Sequence, residues 1–300
     1  MSDIARTSIA EHPPDAFEFG RNWSRFLSVV DEGRIQAAVE SLARRLGRES
    51  LQGRRFLDAG SGSGLFSLAA HRLGAQVVSF DVDPHSVACT TEMKRRFAPD
   101  AEHWEVLAGS ALDPQFLESL GTFDVVYSWG VLHHTGDMWR AIDRVQQRVA
   151  PEGRLWIALY NDQGAISERW KRVKKLHQQL PPSLRTPYVV LAGGLWAAWR
   201  VLCLRVPIKL AGILLSPIKL DPPPGGPDAD APATTGGAAQ RQRGMHWWYD
   251  LADWIGGWPF EVALPEDVIR FLSARGFELD DLMTVGGGLG CNEFVFRRTR

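Results

Sequence analysis

Between residues 54 and 160, short apolar runs alternate with stretches in which apolar residues recur every third or fourth position. The runs RRFLDAG (54–60), AQVVSFD (75–81), HWEVLAG (103–109), FDVVYSW (123–129) and RLWIALY (154–160) are β-rich and apolar through their centres. The stretches between them, 64–73, 85–97, 114–120 and 137–149, carry helical periodicity. Strand alternating with helix, with strands apolar on both faces, predicts a parallel sheet covered by helices on both sides. Ahead of it, 17–47 predicts helices, with Ile35, Ala38, Val39, Leu42 and Leu46 forming one apolar stripe.

The alternation breaks after Tyr160. Residues 161–220 predict a basic, apolar helical insertion containing the run YVVLAGGLWAAWRVLCL (188–204). Residues 221–245 predict a flexible linker, since nine of the twenty residues 221–240 are Pro or Gly. The stretch 246–262 is dense in aromatics, with tryptophans at 247, 248, 254 and 258. Order then returns: 264–276 predicts a helix opened by Pro265 and closed by Gly276, and 277–285 with 292–298 predict a hairpin around a glycine-rich turn. Residues 1–16 predict a disordered start.

Composition alters this picture only locally. The 300 residues carry a net charge of −1, with 45% hydrophobic and 23% charged positions, as in an ordinary soluble domain. Within 163–219, however, ten Lys or Arg face one acid, Glu168, a local net of +9 against −10 for the remainder. Cys89, Cys203 and Cys291 are three in number and far apart, which argues against a disulfide framework and a cysteine metal site and suits a reducing cytoplasm. The first fifteen residues hold no apolar core, so no secretion signal is read there.

The chemistry begins at Asp58-Ala-Gly60-Ser-Gly62-Ser-Gly64, directly after the first strand. Glycines permit positive φ and close approach of a ligand to the backbone, and the following helix offers free N–H groups. The dinucleotide spacing would need glycine at 65, where leucine stands, so the turn suits a ligand without a pyrophosphate. Taken alone, such a turn is equally a tight strand–helix connection. The second strand ends FDVDP, which sets Asp81 at its tip, about twenty residues on, where a carboxylate can accept from both ribose hydroxyls. The competing role, capping the next helix, fits Asp83 better, because Pro84 follows it.

In order and spacing, the glycine turn, FDVDP and FDVVYSWGVLHH resemble the class I S-adenosylmethionine-dependent methyltransferases over residues 54–160, and the hairpin 277–298 resembles that family's last two strands. The resemblance implies a Rossmann-like α/β fold: a seven-stranded sheet, mostly parallel, with one antiparallel strand. It implies S-adenosylmethionine as cofactor, with Gly60, Gly62 and Gly64 along the methionine part and Asp81 at the ribose. Asp58, Ser61, Val82, Ser110, Ala111 and Trp129 complete the expected cofactor set. Ser110 stands where many relatives carry an acid against the adenine, a departure from the pattern.

Methyl transfer from a sulfonium is an in-line displacement, so the protein must mainly hold the acceptor about 3 Å from the methyl and exclude water. A base is needed only if the acceptor must lose a proton. His133 and His134 follow the fourth strand at the ligand-binding edge, and with ordinary pKa values either can take up a proton near neutrality. The alternative is scaffold: a packed or backbone-bonded histidine pair. No third ligand at metal spacing joins them, and no metal is expected. The segment Tyr127-Ser-Trp-Gly-Val lacks the Asn-Pro-Pro-Tyr pattern of enzymes that methylate exocyclic amines, which argues against DNA as partner.

Acceptor specificity is expected from the variable parts, with Asn22, Trp23, His246, Asp250 and Asp253 as candidate substrate residues. The GRNW start (20–23) and the tail YDLADWIGGWPFE (249–261) resemble bacterial methyltransferases of the type 11/12 branch, closer to the quinone and small-molecule enzymes than to the nucleic-acid ones. The seventeen residues 188–204 would reach only about 25 Å as a helix, short of a bilayer core of about 30 Å. With Arg200, Arg205, Lys209 and Lys219 studding an apolar stretch, 188–219 is expected to lie on an anionic membrane surface, placing the protein in the cytoplasm, peripheral on the membrane's inner face. A buried helical hairpin and a basic RNA groove are the alternatives. The reading is therefore a methyltransferase of a lipophilic or lipid-linked small molecule, O-transfer first. An RNA or protein methyltransferase, or a cofactor-binding regulatory module, is the alternative.

Overall fold

The computed structural model describes residues 27–28, 30–205, 255–286, 288 and 290–299, with the backbone alone for 196–205. The first helix, α1 (Glu32–Leu46), starts where Asp31 accepts from the Arg34 amide and stops where Gly47 turns left-handed. Then β1 (Arg55–Ala59), α2 (Leu65–Arg72), β2 (Gln76–Asp81), α3 (Pro84–Phe97), β3 (Trp104–Ala108), α4 (Pro114–Ser119) and β4 (Phe123–Trp129) alternate. They are followed by α5 (Met138–Gln146) and β5 (Val149–Tyr160). The insertion contributes α6 (Ala165–Gln179) and α7 (Pro182–Arg205), and the chain closes with α8 (Pro265–Ser273), β6 (Phe277–Met283) and β7 (Cys291–Arg298).

One seven-stranded sheet results, in the order β3-β2-β1-β4-β5-β7-β6. The first five strands run parallel, and β7 lies antiparallel to both β5 and β6. This is the Rossmann-like fold that the sequence predicts. Alternate side chains of the central strands enter two separate cores. Phe56, Val125, Tyr127 and Trp156 pack under α1, α2 and α3. Leu57, Val126, Leu155 and Ile157 pack under α5 and α8 on the other face. Both faces are dry, which is why these strands show no polar alternation.

Two boundaries differ from expectation. The helix expected over 137–149 ends at Gln146, because Phe123 donates its amide to the Arg148 carbonyl and Val149 already pairs with Phe123 in the sheet. The strand β5 accordingly starts five residues earlier than the apolar run. The pairing of β4 with β5 shifts register between Phe123 and Val125, around the Pro151–Gly153 stretch.

From the edge strand β3 the chain crosses back past β2 and β1 through α4, which sets β4 beside β1 at the centre. Their C-terminal ends, with that of β2, form the edge at which open α/β sheets bind ligands.

Candidate functional site

The glycine turn leaves β1 at that edge. Gly60, Gly62 and Gly64 all have positive φ, 86°, 53° and 78°. The Gly60 and Ser61 amides donate to the Phe80 carbonyl at 2.8 and 3.0 Å, which ties the turn to the end of β2. On its far side Thr90 of α3 braces it, bonding Ser61 Oγ at 2.9 Å and the Gly62 carbonyl at 3.2 Å. A Cβ at Gly60 would lie 2.3 Å from Val131 Cγ1, so glycine there lets the turn and the segment after β4 meet.

Asp81 sits at the tip of β2. Its carboxylate accepts from the Gly62 amide at 3.0 Å and the Asp83 amide at 2.9 Å. Burial pushes its pKa up to about 6, against the pull of those two amides. Asp83 is the N-cap of α3, accepting from the His85 amide at 2.9 Å, the structural role its sequence position predicts. Asp58 lies deeper, wholly enclosed, and burial raises it to about 7, with the neighbouring Asp81 charge acting the same way. A buried chain of donors ends on it: Trp104 Nε1 donates to Ser79 Oγ (2.9 Å), Ser79 to Ser67 Oγ (2.7 Å), and Ser67 to Asp58 Oδ2 (2.5 Å). The sequence reading named the acceptor of this chain but not its three donors, which come from β3, β2 and α2 and converge only on folding.

The remaining expected cofactor residues share the same edge. Val82 follows Asp81, and Ser110 and Ala111 follow β3, where Ser110 Oγ accepts from the Leu112 amide at 3.1 Å. Trp129 ends β4 near Glu293, a carboxylate raised by burial although Arg45 and the Trp129 and Trp156 indoles draw it down. Paired acceptor oxygens at 81, bare backbone at 60–64 and a hydroxyl at 110 fit the chemistry of a nucleoside with a charged amino-acid tail.

The histidine pair occupies the next layer. Leu132–His134 form a single 3-10 turn after β4. The His133 ring is fully enclosed, 3.9 Å from the Tyr160 ring centroid and 4.4 Å from that of His134. The ring meets the Ala158 backbone carbonyl, whose pull on the ring proton works against the burial. His134 Nδ1 donates to the Pro259 carbonyl at 2.6 Å, since a carbonyl can only accept. The ordinary histidine pKa assumed from sequence does not hold at either position. Burial takes His133 well below it, helped by the charges of His134 and Lys174. Burial also takes His134 to about 3, in spite of the Pro259 bond. Both rings are neutral at working pH.

The strap 256–263 holds this turn from outside. The Glu261 amide donates to the His133 carbonyl at 3.0 Å, and the Glu261 carboxylate accepts from the Met138 amide at the start of α5. Beneath the strap lies Lys174 of α6, with no exposed surface and its Nζ 4.8 Å from the Phe260 ring centroid. Phe260 also lines a groove of about 250 Å³ with Met138, Trp139, Glu168 and Lys171. Lys174, Tyr160 and Phe260 escaped the sequence reading. Lys174 was lost in the charge run WKRVKKLHQQ, although it falls on the same helical face as Trp170 and Gln178. Asn22, Trp23, His246, Asp250 and Asp253 lie outside the described residues. Among the described residues, no three His, Cys, Asp or Glu side chains converge as a metal site would require.

A glycine turn and a carboxylate at adjoining strand tips of a seven-stranded sheet with one reversed strand are the arrangement of the class I methyltransferase type. A family profile described as a methyltransferase domain matches residues 31–282, and the chain belongs to that family of S-adenosylmethionine-dependent enzymes. A ubiquinone biosynthesis O-methyltransferase of Rhizobium rhizogenes is 29% identical over 173 residues, 54% of this chain and 68% of that protein. The mitochondrial protein of the same name in Schizosaccharomyces pombe is 27% identical over 52% of this chain and 57% of its own length. The chain thus spans about half to two thirds of the length of these curated relatives. A structure of magnesium protoporphyrin IX methyltransferase from Synechocystis PCC 6803 aligns over 93% of both chains at 14% identity, with a TM-score of 0.49.

Proposed function

We propose that this methyltransferase acts on an oxygen of a small, lipophilic, quinol-like acceptor. The observation that carries the reading is the likeness to relatives named as O-methyltransferases of ubiquinone biosynthesis. When bound, the cofactor supplies a methyl group on a positively charged sulfur that leaves as a neutral thioether. The residues of this chain do the rest. Asp81 accepts the ribose hydroxyls, the 60–64 backbone and Asp58 receive the amino-acid end, and Ser110 lies at the adenine. The Val131–His134 turn, Tyr160 and the 256–263 strap close the acceptor side and exclude water. His133 and His134 act there as neutral hydrogen-bonding groups, not as a proton store, because both are held far below neutrality.

The second part of the proposal concerns where the enzyme meets its acceptor. Helix α7 exposes Leu184, Val190, Leu191 and Leu195, each with half or more of its surface open, within the insertion of local charge +9. Among the described residues no helix is long and apolar enough to cross a membrane. An apolar face in a basic surround suits peripheral binding to an anionic bilayer, where a lipophilic acceptor resides. The same charge also supports an RNA acceptor as second reading. Incubating the protein with methyl-labelled cofactor and a total lipid extract, RNA or protein separates the two. Label in the lipid fraction supports the proposal, and label in RNA or protein alone overturns it.

A further inference from the structure

Asp58 of β1, Ser67 of α2, Ser79 of β2 and Trp104 of β3 are all buried, and they lie in line beneath the glycine turn. Trp104 Nε1 donates to Ser79 Oγ, Ser79 to Ser67 Oγ, and Ser67 to Asp58 Oδ2. An indole N–H has no lone pair to offer, so Trp104 can only donate. The head of the line therefore fixes the direction of every bond in it. With Asp58 as donor instead, the Ser79 hydroxyl would be left without an acceptor in a closed interior, which is costly. Apolar groups of the same shape in place of all these partners would be nearly neutral for stability, so the fold alone does not call for the line.

The line ends two residues before Gly60, directly behind the turn that runs from 60 to 64. Resting on the proposed reception of the cofactor's amino-acid end by Asp58, we infer that Trp104, Ser79 and Ser67 are positioning residues for the cofactor, whose one-way donation keeps the Asp58 carboxyl an acceptor for the ammonium of that end. Burial works the other way and raises Asp58 to about 7, as does the charge of Asp81 at the tip of β2. The Ser67 hydroxyl and amide draw it down. In register beside Asp58 stand Ser79 of β2, with a hydroxyl, and Tyr127 of β4, with a phenol. The donors are thus set against a burial that favours the protonated acid. Once the line is cut, Ser67 is free to accept a proton from Asp58 instead of supplying one. The acid form gains, and the cofactor needs a higher pH to bind.

Calorimetric titration of the full chain with the demethylated cofactor product, repeated from about pH 5.5 to about pH 8.5, reads this directly. The most telling variant is Ser79→Ala, because Ser79 bonds Ser67 and Trp104 rather than Asp58 itself. It should move the midpoint of the affinity profile up by about half a pH unit or more, since the remaining bond loses its support from behind. Ser67→Ala, which removes the direct donor, should move it by about one unit or more. Asp81 contributes to every profile, so the difference between profiles belongs to Asp58. In an Asp58→Asn background neither serine substitution should change the affinity further. A midpoint that stays in place in Ser79→Ala overturns the inference, as does an affinity lost equally at every pH, which is what a merely structural line would give. A flat profile in the unaltered protein overturns it without any variant, so the test survives a serine variant that fails to fold. Weakened binding in Asp58→Asn beside unmoved serine profiles defeats the inference alone. Unchanged binding in Asp58→Asn defeats the reading on which it rests.

Discussion

Asp81 and Asp58 carry the cofactor side of the account, and their environment gives them a measurable pH signature. Both pKa values are raised by burial, to about 6 and about 7. Each therefore holds a proton more tightly in the folded chain than in the unfolded one. The cofactor-free protein should lose stability as pH rises from about 4 to about 7, because unfolding then releases protons held by neither carboxyl in the open chain. A cationic cofactor reverses the preference and draws both groups to the carboxylate. Its affinity should rise with pH through the range 6 to 7 with protons released, seen as a binding enthalpy that changes with the ionisation enthalpy of the buffer. Asp81→Asn should weaken the cofactor about 10- to 100-fold, the loss of charge-assisted hydrogen bonds of about 1.5–3 kcal/mol, with little change in melting temperature. The place of Asp81 was readable from the sequence, because the second apolar run ends on it just before the Asp83-Pro84 helix start. The Trp104–Ser79–Ser67 chain behind Asp58 was not, since each donor sits on a different element and no local pattern marks it.

At the scale of elements, the turn between β1 and α2 is the part with least tolerance. Gly60→Ala combines a φ of 86° with a Cβ placed 2.3 Å from Val131, so it should cost about 1–3 kcal/mol and abolish cofactor binding together. Removing the α1 cap by Asp31→Ala should cost about 1 kcal/mol and leave cofactor affinity unchanged, a control that separates stability from the site. Chemical denaturation with calorimetry on the same variants checks both. The strands and helices of 54–160 were legible because each is short, apolar and bounded by Gly, Pro or Asp. The error at 146–149 has a plain cause: Val145 and Val149 continue a helical spacing, and only the pairing of Val149 with Phe123 assigns the second of them to the sheet. Lys174 was illegible for the opposite reason. A lysine in a basic helix reads as solvated, and its burial is decided by a strap nearly ninety residues away in the chain.

For the whole molecule, the sheet domain and the inserted helices divide the labour. The sheet presents the strand tips with the glycine turn, while α6 and the 256–263 strap cover the Leu132–His134 turn, and α7 turns leucines outward. The protein should sediment with vesicles containing anionic lipid and not with neutral ones. Leu191→Glu combined with Leu195→Glu, or deletion of 187–219, should leave it in the supernatant. Persistence in the supernatant of the unaltered chain with anionic vesicles would contradict the membrane proposal without touching the enzyme's class. The central claim is narrower: a sulfonium nucleoside is gripped by Asp81 and laid along the backbone of residues 60–64. Isothermal titration of the full chain with S-adenosylmethionine and its demethylated product tests it most directly. The account predicts saturable one-to-one binding of both, weakened at least tenfold in Asp81→Asn. Absence of binding in the unaltered protein, or equal affinity in Asp81→Asn, would contradict it.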